Sequence, residues 1–246
     1  MKAQARSYGE DIAYIHDVAF SGFANAAAPN LIAMLRAHGI SSGTIVDLGC
    51  GAGAWARHLV DAGYDVLGID ISPAMLRIAR AKVPEARFRQ ASLLRATIPP
   101  CSAVTSIGEC LNYLFDARNN HRQRSRLFRR IYSSLKPGGV FLFDVAINNV
   151  QFKPRKNYSL GKDWLIAVAV TKERGRLARN MVSLRRINSN YRMRQETHRQ
   201  LLFDPSEIRT ELSNAGFKVQ LLYGYGKFRF DSLHRGFLAR KAFQRR

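Results

Sequence analysis

The sequence predicts a doubly wound α/β fold: a seven-stranded, mostly parallel sheet covered by helices, with an antiparallel β insertion after the fifth strand. Three observations predict it. Short apolar runs alternate with amphipathic stretches from residue 44 to residue 145, the rhythm of strand–helix–strand crossovers. The first run, Thr44-Ile45-Val46-Asp47-Leu48, opens into a turn with Gly at every second position, Gly49-Cys50-Gly51-Ala52-Gly53. After Val145 come longer alternating runs separated by Arg174-Gly175 and Asn188-Ser189-Asn190, which are turn signals between antiparallel strands.

Residues 1–38 read as a helical lead-in. Ile12, Ile15 and Ala19, and then Leu31, Met34 and Leu35, recur at helical spacing, and Pro29 is expected to break the run. The first strand is 44–48 and its helix 54–62. A second strand, 65–69, leads to Asp70. Ser72 then caps a helix over 74–82 with Pro73 at its first position. A third strand follows at 86–90, a loop at 91–101 and a fourth strand at 103–107. The Arg-rich helix 121–135 stops at Lys136-Pro137-Gly138-Gly139 before a fifth strand at 140–145. Each step implies a right-handed parallel crossover. The insertion is expected to hold three strands, at 163–171, 176–187 and 191–202. Asp204-Pro205-Ser206-Glu207 forms a capping box for a helix ending at Gly216. Strands at 217–223 and 236–240 close the sheet. The chain, 1–246, is read as a single domain, with 1–38 a helical lid and 150–203 an antiparallel cap.

Composition narrows the function classes. At 246 residues, with 46% apolar and 23% charged residues, the chain is an ordinary globular domain able to bury a sizeable core. The cysteines Cys50, Cys101 and Cys110 form no CxxC pair and no disulfide framework, and no metal-ligand spacing is read. No run is long enough to span a membrane, and Glu10, Asp11 and Asp17 interrupt what a signal peptide would keep apolar, so a cytoplasmic location is expected. Charge is the anomaly: 39 Lys+Arg against 18 Asp+Glu gives +21. The basic residues concentrate between Lys153 and Arg199, between Arg118 and Lys136, and from Lys227 onward. Such a surface could attract nucleic acid or another anion non-specifically.

The Gly-rich turn carries the most specific chemistry. Its glycines let the backbone approach a ligand and adopt dihedrals that a Cβ forbids. Asp70, at the end of the second strand, is placed to accept the two hydroxyls of a ribose. The spacing Gly-x-Gly-x-Gly, with Asp47 two residues ahead of it, differs from the Gly-x-Gly-x-x-Gly of a pyrophosphate site. It resembles motif I of the class I S-adenosylmethionine (SAM)-dependent methyltransferases, bacterial small-molecule type. Lys136-Pro137-Gly138-Gly139, Ala215-Gly216-Phe217 and the loop Ser106-Ile107-Gly108-Glu109-Cys110-Leu111-Asn112-Tyr113-Leu114 are similar to later blocks of the same family. Tyr14-Ile15-His16-Asp17 and Glu196-Thr197-His198-Arg199 resemble a subgroup of it.

That resemblance implies the strand order 3-2-1-4-5-7-6. SAM is the implied cofactor and S-adenosylhomocysteine (SAH) the implied product. By the same resemblance Asp47, Gly49, Cys50, Gly51 and Gly53 cradle the methionine moiety, Asp70 takes the ribose, and Ile71 flanks the adenine. Many relatives place an Asp after strand three to accept the adenine amine. Here the position reads Ala91-Ser92-Leu93, leaving Ser92, or the backbone around Leu93, to make that contact.

Methyl transfer from a sulfonium needs alignment and exclusion of water, and a base only where the nucleophile must lose a proton. Glu109, after strand four, is a candidate to orient the substrate or to hold the cofactor's ammonium. His16 lies on the lead-in that covers the cofactor. Glu196 and His198, two apart on a strand, share a face, so His198 is a candidate general base if that face looks into the cleft. Pro100-Cys101 precedes strand four, which rules out the Pro-Cys nucleophile of cytosine-5 methyltransferases. The expected reaction is methylation of an O or N atom of a small metabolite, and the alternative is an RNA methyltransferase that uses the basic surface.

Overall fold

The computed structural model describes residues 7–148 and 152–243. Residues 1–6 of the expected lid, 150–151 of the expected cap and 244–246 of the last basic cluster lie outside the described residues. Two helices open the chain, α1 (Glu10–Phe20) and α2 (Gly22–Ala37). The α/β core follows as β1 (Thr44–Leu48), α3 (Ala54–Asp61), β2 (Asp65–Asp70), α4 (Pro73–Lys82), β3 (Arg87–Gln90), β4 (Cys101–Ser106), α5 (His121–Ser134) and β5 (Leu135–Ala146). The insertion is a four-stranded antiparallel sheet, β6 (Arg155–Leu160), β7 (Trp164–Glu173), β8 (Arg176–Ile187) and β9 (Asn190–Leu201). The core resumes with α6 (Pro205–Asn214) and β10 (Lys218–Leu222), and after the small hairpin β11 (Gly224–Tyr225) and β12 (Phe228–Arg229) it ends on β13 (His234–Arg240).

The main sheet runs β10-β13-β5-β4-β1-β2-β3. Read from the other edge this is the expected 3-2-1-4-5-7-6, with β10 as the sixth core strand and β13 as the seventh. All pairs are parallel except those of β13, which is antiparallel to both neighbours. Period-two alternation on β5 feeds two cores. Phe141, Phe143 and Val145 pack with Phe128 and Ile131 of α5 and Ile208 and Leu212 of α6 on one face. Val140 and Leu142 pack with Leu31 and Leu35 of α2 and Trp55 and Leu59 of α3 on the other. A strand buried on both faces reads as a continuous apolar run, which is what Val140-Phe141-Leu142-Phe143 is.

Several local expectations are corrected. Pro29 lies inside α2, and the break falls at Ser21, where the axes of α1 and α2 bend by 57°. One lost backbone hydrogen bond is tolerated there because Ala27, Ala28, Leu31 and Leu35 around it are fully buried. Lys136-Pro137-Gly138-Gly139 is not a turn before β5 but an irregular opening stretch of the strand, with a register shift opposite Cys101 and Ala103. The insertion has a fourth strand, β6, which its polar, exposed sequence Arg-Lys-Asn-Tyr-Ser-Leu conceals; it is an edge strand paired only with β7. Among the described residues no single helix is long and apolar enough to cross a membrane.

The cap and the lead-in form one unit. Ile12 and Ile15 of α1 pack on Ile166 and Met181 of the cap. Asp11 accepts from Arg192 at 2.8 Å, Tyr14 donates to Asp163 at 3.0 Å, and the Arg185 guanidinium lies 3.8 Å from the Tyr14 ring centre. Part of the basic excess is therefore internal wiring. Arg179, Arg185 and Arg192 face acids, Arg124 of α5 makes a buried bidentate pair with Glu211, and Arg130 donates to the Leu94 carbonyl at 2.7 Å.

Candidate active site

A cavity of about 300 Å³ opens where the parallel strands end, roofed by α1 and the start of α2. Gly49, Cys50 and Gly51 form its floor beside Asp47, with Asp70 and Ile71 next along the sheet and Ser92 and Leu93 beyond them. Gly51 has φ +53° and a Cβ built on it would meet nothing within 4 Å, so that side of the turn is open to a ligand. Gly49, at φ +78°, would drive a Cβ to 2.6 Å from Cys110, so it is a packing glycine as well. Gly53 does not line the cavity. It caps α3 at φ +82°, with Ala79 of α4 at 3.2 Å from its virtual Cβ, and its small size lets the two helices approach.

Three buried carboxyls meet at this end. Burial pushes Asp47 up to about 7, against the Thr105 hydroxyl that donates to it at 2.8 Å. Burial also raises Asp70, whose two oxygens accept the N–H groups of Gly51 at 2.9 Å and Ser72 at 2.8 Å. Asp144, at the end of β5, is raised by burial too and accepts from Gly108 N, Glu109 N and the Tyr225 hydroxyl. Among the described residues none of the three forms an ion pair. Carboxyls buried without a counter-ion favour a cationic ligand.

The other end is a charged relay walled by aromatics. Glu109 is held at φ +60° in the loop after β4, and it accepts from Arg179 at 2.9 Å, from Gln200 at 2.8 Å and from His234. Against the effect of burial, Arg179 and His234 hold its carboxyl well below the usual range. Glu109 and Asp231 in turn raise His234 to about 9, again against burial. Arg179 also donates to the Tyr113 hydroxyl at 3.0 Å, which lies 2.9 Å from that of Tyr8. His16 lines the cavity as a neutral ring, pushed down to about 4 mainly by burial.

The comparisons agree with this geometry. Residues 45–139 match the family model "Methyltransferase domain". A trans-aconitate 2-methyltransferase from Delftia acidovorans is 36% identical over 106 residues, covering 42% of this chain and 38% of that protein. The chain spans about two fifths of the length of the first such curated relatives. A dTDP-3-amino-3,6-dideoxy-alpha-D-glucopyranose N,N-dimethyltransferase from Streptomyces fradiae is 23% identical over 88% of both chains. In fold, the chain resembles the crystal structure of Streptomyces venezuelae DesVI, with a TM-score of 0.79 and 20% identity over 96% of this chain and 100% of that one. It also resembles a SAM-dependent methyltransferase from Clostridium acetobutylicum, with a TM-score of 0.80 and 16% identity over 94% and 97%. Residues 45–139 thus resemble a methyltransferase domain, and the whole chain shares the fold of SAM-dependent methyltransferases.

SAM, the cofactor of such enzymes, fits the carboxyl-rich end: it brings a sulfonium and an ammonium to acids, Asp47, Asp70 and Asp144, that form no ion pair among the described residues. The methyltransferase cavity brings together Asp47, Gly49, Cys50, Gly51, Asp70, Ile71, Ser92, Leu93, Glu109 and His16. It leaves His198 outside. That ring is buried behind Tyr8, Tyr113 and Phe115, with its Nε2 2.9 Å from Glu196, and Glu196 also accepts the Gly9 N–H. The polar face of β9 thus meets the N-terminal segment at Glu196 and His198, and reaches the cavity at Gln200, which donates to Glu109 at 2.8 Å.

Sequence reasoning missed Asp144, His234, Arg179 and Tyr8. His234 and Asp144 lie opposite each other's neighbours in the β13–β5 ladder, where His234 pairs with Ala146 and Gly236 with Asp144. The one legible signal was Asp144 itself, an acid near the end of an apolar strand, two residues beyond the level of Asp47 as Asp70 is on its strand.

Proposed function

We propose that the protein transfers the SAM methyl group to an amine nitrogen of a small polar metabolite. One observation carries the choice of nitrogen over oxygen: among the described side chains around Glu109 none is free and tuned to remove a hydroxyl proton at neutral pH. The raised Asp144 is occupied by Gly108 N, Glu109 N and the Tyr225 hydroxyl. His234 is held protonated, Glu109 is held ionised and weakly basic, and His16 is neutral but a poor proton acceptor. Burial raises Tyr8 and Tyr113, which therefore stay as neutral hydroxyls. An amine needs no base, since its lone pair is free once it enters uncharged.

SAM supplies an activated methyl on sulfonium sulfur. When bound, it would give that methyl to an uncharged amine nitrogen, the C–S electrons remaining with sulfur and the product's proton passing to water. Asp47 and the Gly49–Gly51 turn would hold the methionine end, and Asp70 the ribose. Tyr8, Tyr113 and Phe115, braced by His198 from behind, would close the substrate end against water. Glu109, locked by Arg179 and His234, would fix a polar group of the substrate. Support also comes from the sugar N-methyltransferase KedS8 of Streptoalloteichus, which shares the fold across 98% of this chain.

The test is label transfer from methyl-labelled SAM to a panel of amino and hydroxy metabolites, with bulk RNA in parallel. Incorporation into amines supports the reading. Incorporation into hydroxyls alone, or into a defined RNA position at moderate salt, overturns it.

A further inference from the structure

The strand-three position that many relatives fill with an acid is Ala91-Ser92-Leu93 here, and Ala91 has no acceptor to offer. Ser92 is engaged locally, its Oγ accepting the Leu94 N–H at 3.3 Å. The cavity wall facing this stretch comes from a turn after β4, closed by the Asn119 N–H donating to the Asp116 carbonyl at 2.9 Å. Asn119 is 8% exposed, and its amide nitrogen donates to the Leu111 carbonyl at 2.8 Å and the Tyr113 carbonyl at 2.9 Å. Two carbonyl partners settle which amide atom is nitrogen, so the remaining atom is an acceptor. That Oδ1 is buried and has no hydrogen-bond partner among the described residues.

Asp116 Oδ2 beside it is buried and makes no close hydrogen bond, although Arg95 pairs with it at 3.5 Å and the Ser92 side chain faces the carboxyl. Both residues line the cavity together with Ala91, Ser92 and Leu93. Buried acceptors left without donors are costly unless a ligand completes them. Asp70 ends β2, and β3 is its neighbour at the sheet edge, so a base attached to a ribose at Asp70 reaches this wall.

We propose that Asn119, with Asp116 beside it, accepts the exocyclic amine of the cofactor's adenine and replaces the acid missing after β3. The assignment rests on the SAM-binding reading of the cavity. An adenine amine has two N–H donors and the wall has two buried acceptors that make no close hydrogen bond. The site therefore reads the base through the strand-four turn and not through strand three. A purine without the amine leaves both acceptors buried without a close hydrogen bond, which is the situation in which sites discriminate most strongly.

Calorimetry tests this with SAH and its 6-deaminated purine analogue, in which hydrogen stands where the amine was. The wild-type protein should bind SAH roughly tenfold to a hundredfold more tightly than the analogue. Asp116→Ala and Asn119→Ala should each shrink that ratio by weakening SAH while leaving the analogue's affinity in place. Asn119→Ala also removes the bonds to Leu111 and Tyr113, so its fold is checked by circular dichroism, and Asp116→Ala together with the wild-type ratio decides the matter if it fails to fold. Equal wild-type affinity for the two ligands, or a ratio unmoved by Asp116→Ala, overturns the assignment. Absence of any SAH binding overturns the cofactor reading beneath it.

Discussion

Asp11 of α1 accepts the Arg192 Nε–H at 2.8 Å, tying the N-terminal helix to a strand 181 residues further along the chain. Arg185 joins the pair at 3.5 Å. Burial would raise the Asp11 carboxyl, and the two arginines overcome it and hold it below its usual value. The helix that roofs the cavity is therefore tied to the inserted sheet.

Asp11→Ala should loosen this joint. Removing the acid leaves two arginines without their partner; they are partly exposed, so the cost should be about 2 kcal/mol, below that of a fully buried pair. In a domain of this size that is roughly 4–8 °C in Tm. Limited proteolysis should cut within α1 faster than in the wild type, and an unchanged cleavage pattern would show that Ile12 and Ile15 hold the helix unaided.

Stability should depend on His234 in a defined pH window. An imidazole whose folded pKa is raised from 6.5 to about 9 contributes stability that is fully present below about pH 6.5 and is lost as pH rises through about 9. Denaturant midpoints of wild type and His234→Gln should therefore converge as pH climbs from 6 to 10. Parallel curves would mean that Glu109 does not hold the ring protonated.

Asp70→Ala should weaken SAH binding by about two orders of magnitude or more, since two hydrogen bonds to a carboxylate are worth roughly 1.5–3 kcal/mol each. The variant also releases the Gly51 and Ser72 N–H groups, so Asp70→Asn, which keeps one acceptor, should fall between the two. Wild-type affinity by calorimetry in Asp70→Ala would remove the ribose from this residue.

Gly51→Val should abolish cofactor binding and leave the fold largely intact. The turn holds φ +53°, which a branched residue resists, and the side chain would enter space that no protein atom occupies within 4 Å. Native circular dichroism together with native SAH affinity would place the cofactor elsewhere.

His198→Ala separates a base from a brace. If the ring were a general base, its loss would take turnover down by roughly 10²–10⁴-fold and remove the acidic limb of the pH–rate profile. The geometry predicts otherwise: a buried ring removed from behind Tyr8 should cost about 2 kcal/mol of stability and raise KM more than it lowers kcat, with the shape of the pH profile kept. Loss of the pH limb at unchanged Tm would restore the base.

The cofactor half was legible because its signals are local. A Gly needed at positive φ, a Ser that caps a helix and an acid that ends a strand act within a few residues, and Gly51, Ser72 and Asp70 could be read one by one. The substrate half was not. Glu109 was visible as a residue, but its partners Arg179, Gln200 and His234 come from β8, from β9 and from the start of β13, and no spacing rule connects them. The polar alternation on β9 was read correctly as a face, yet which surface that face meets depends on where α1 packs. Pro29 and β6 failed for the same reason, since burial around α2 and pairing with β7 outweigh local propensity.

By itself, the sequence determined the strand–helix alternation, the Gly-rich turn and the acid beyond it, because hydrophobic periodicity and backbone sterics act over short stretches of chain. The strand order followed from the family resemblance. Only the tertiary structure decided which charges are surface and which are wiring, that His198 stands behind the aromatic wall, and that Asn119 presents an unpaired acceptor to the cavity. Burial and ion pairing belong to groups brought together from distant positions, and their energies exist only once the chain has closed around them.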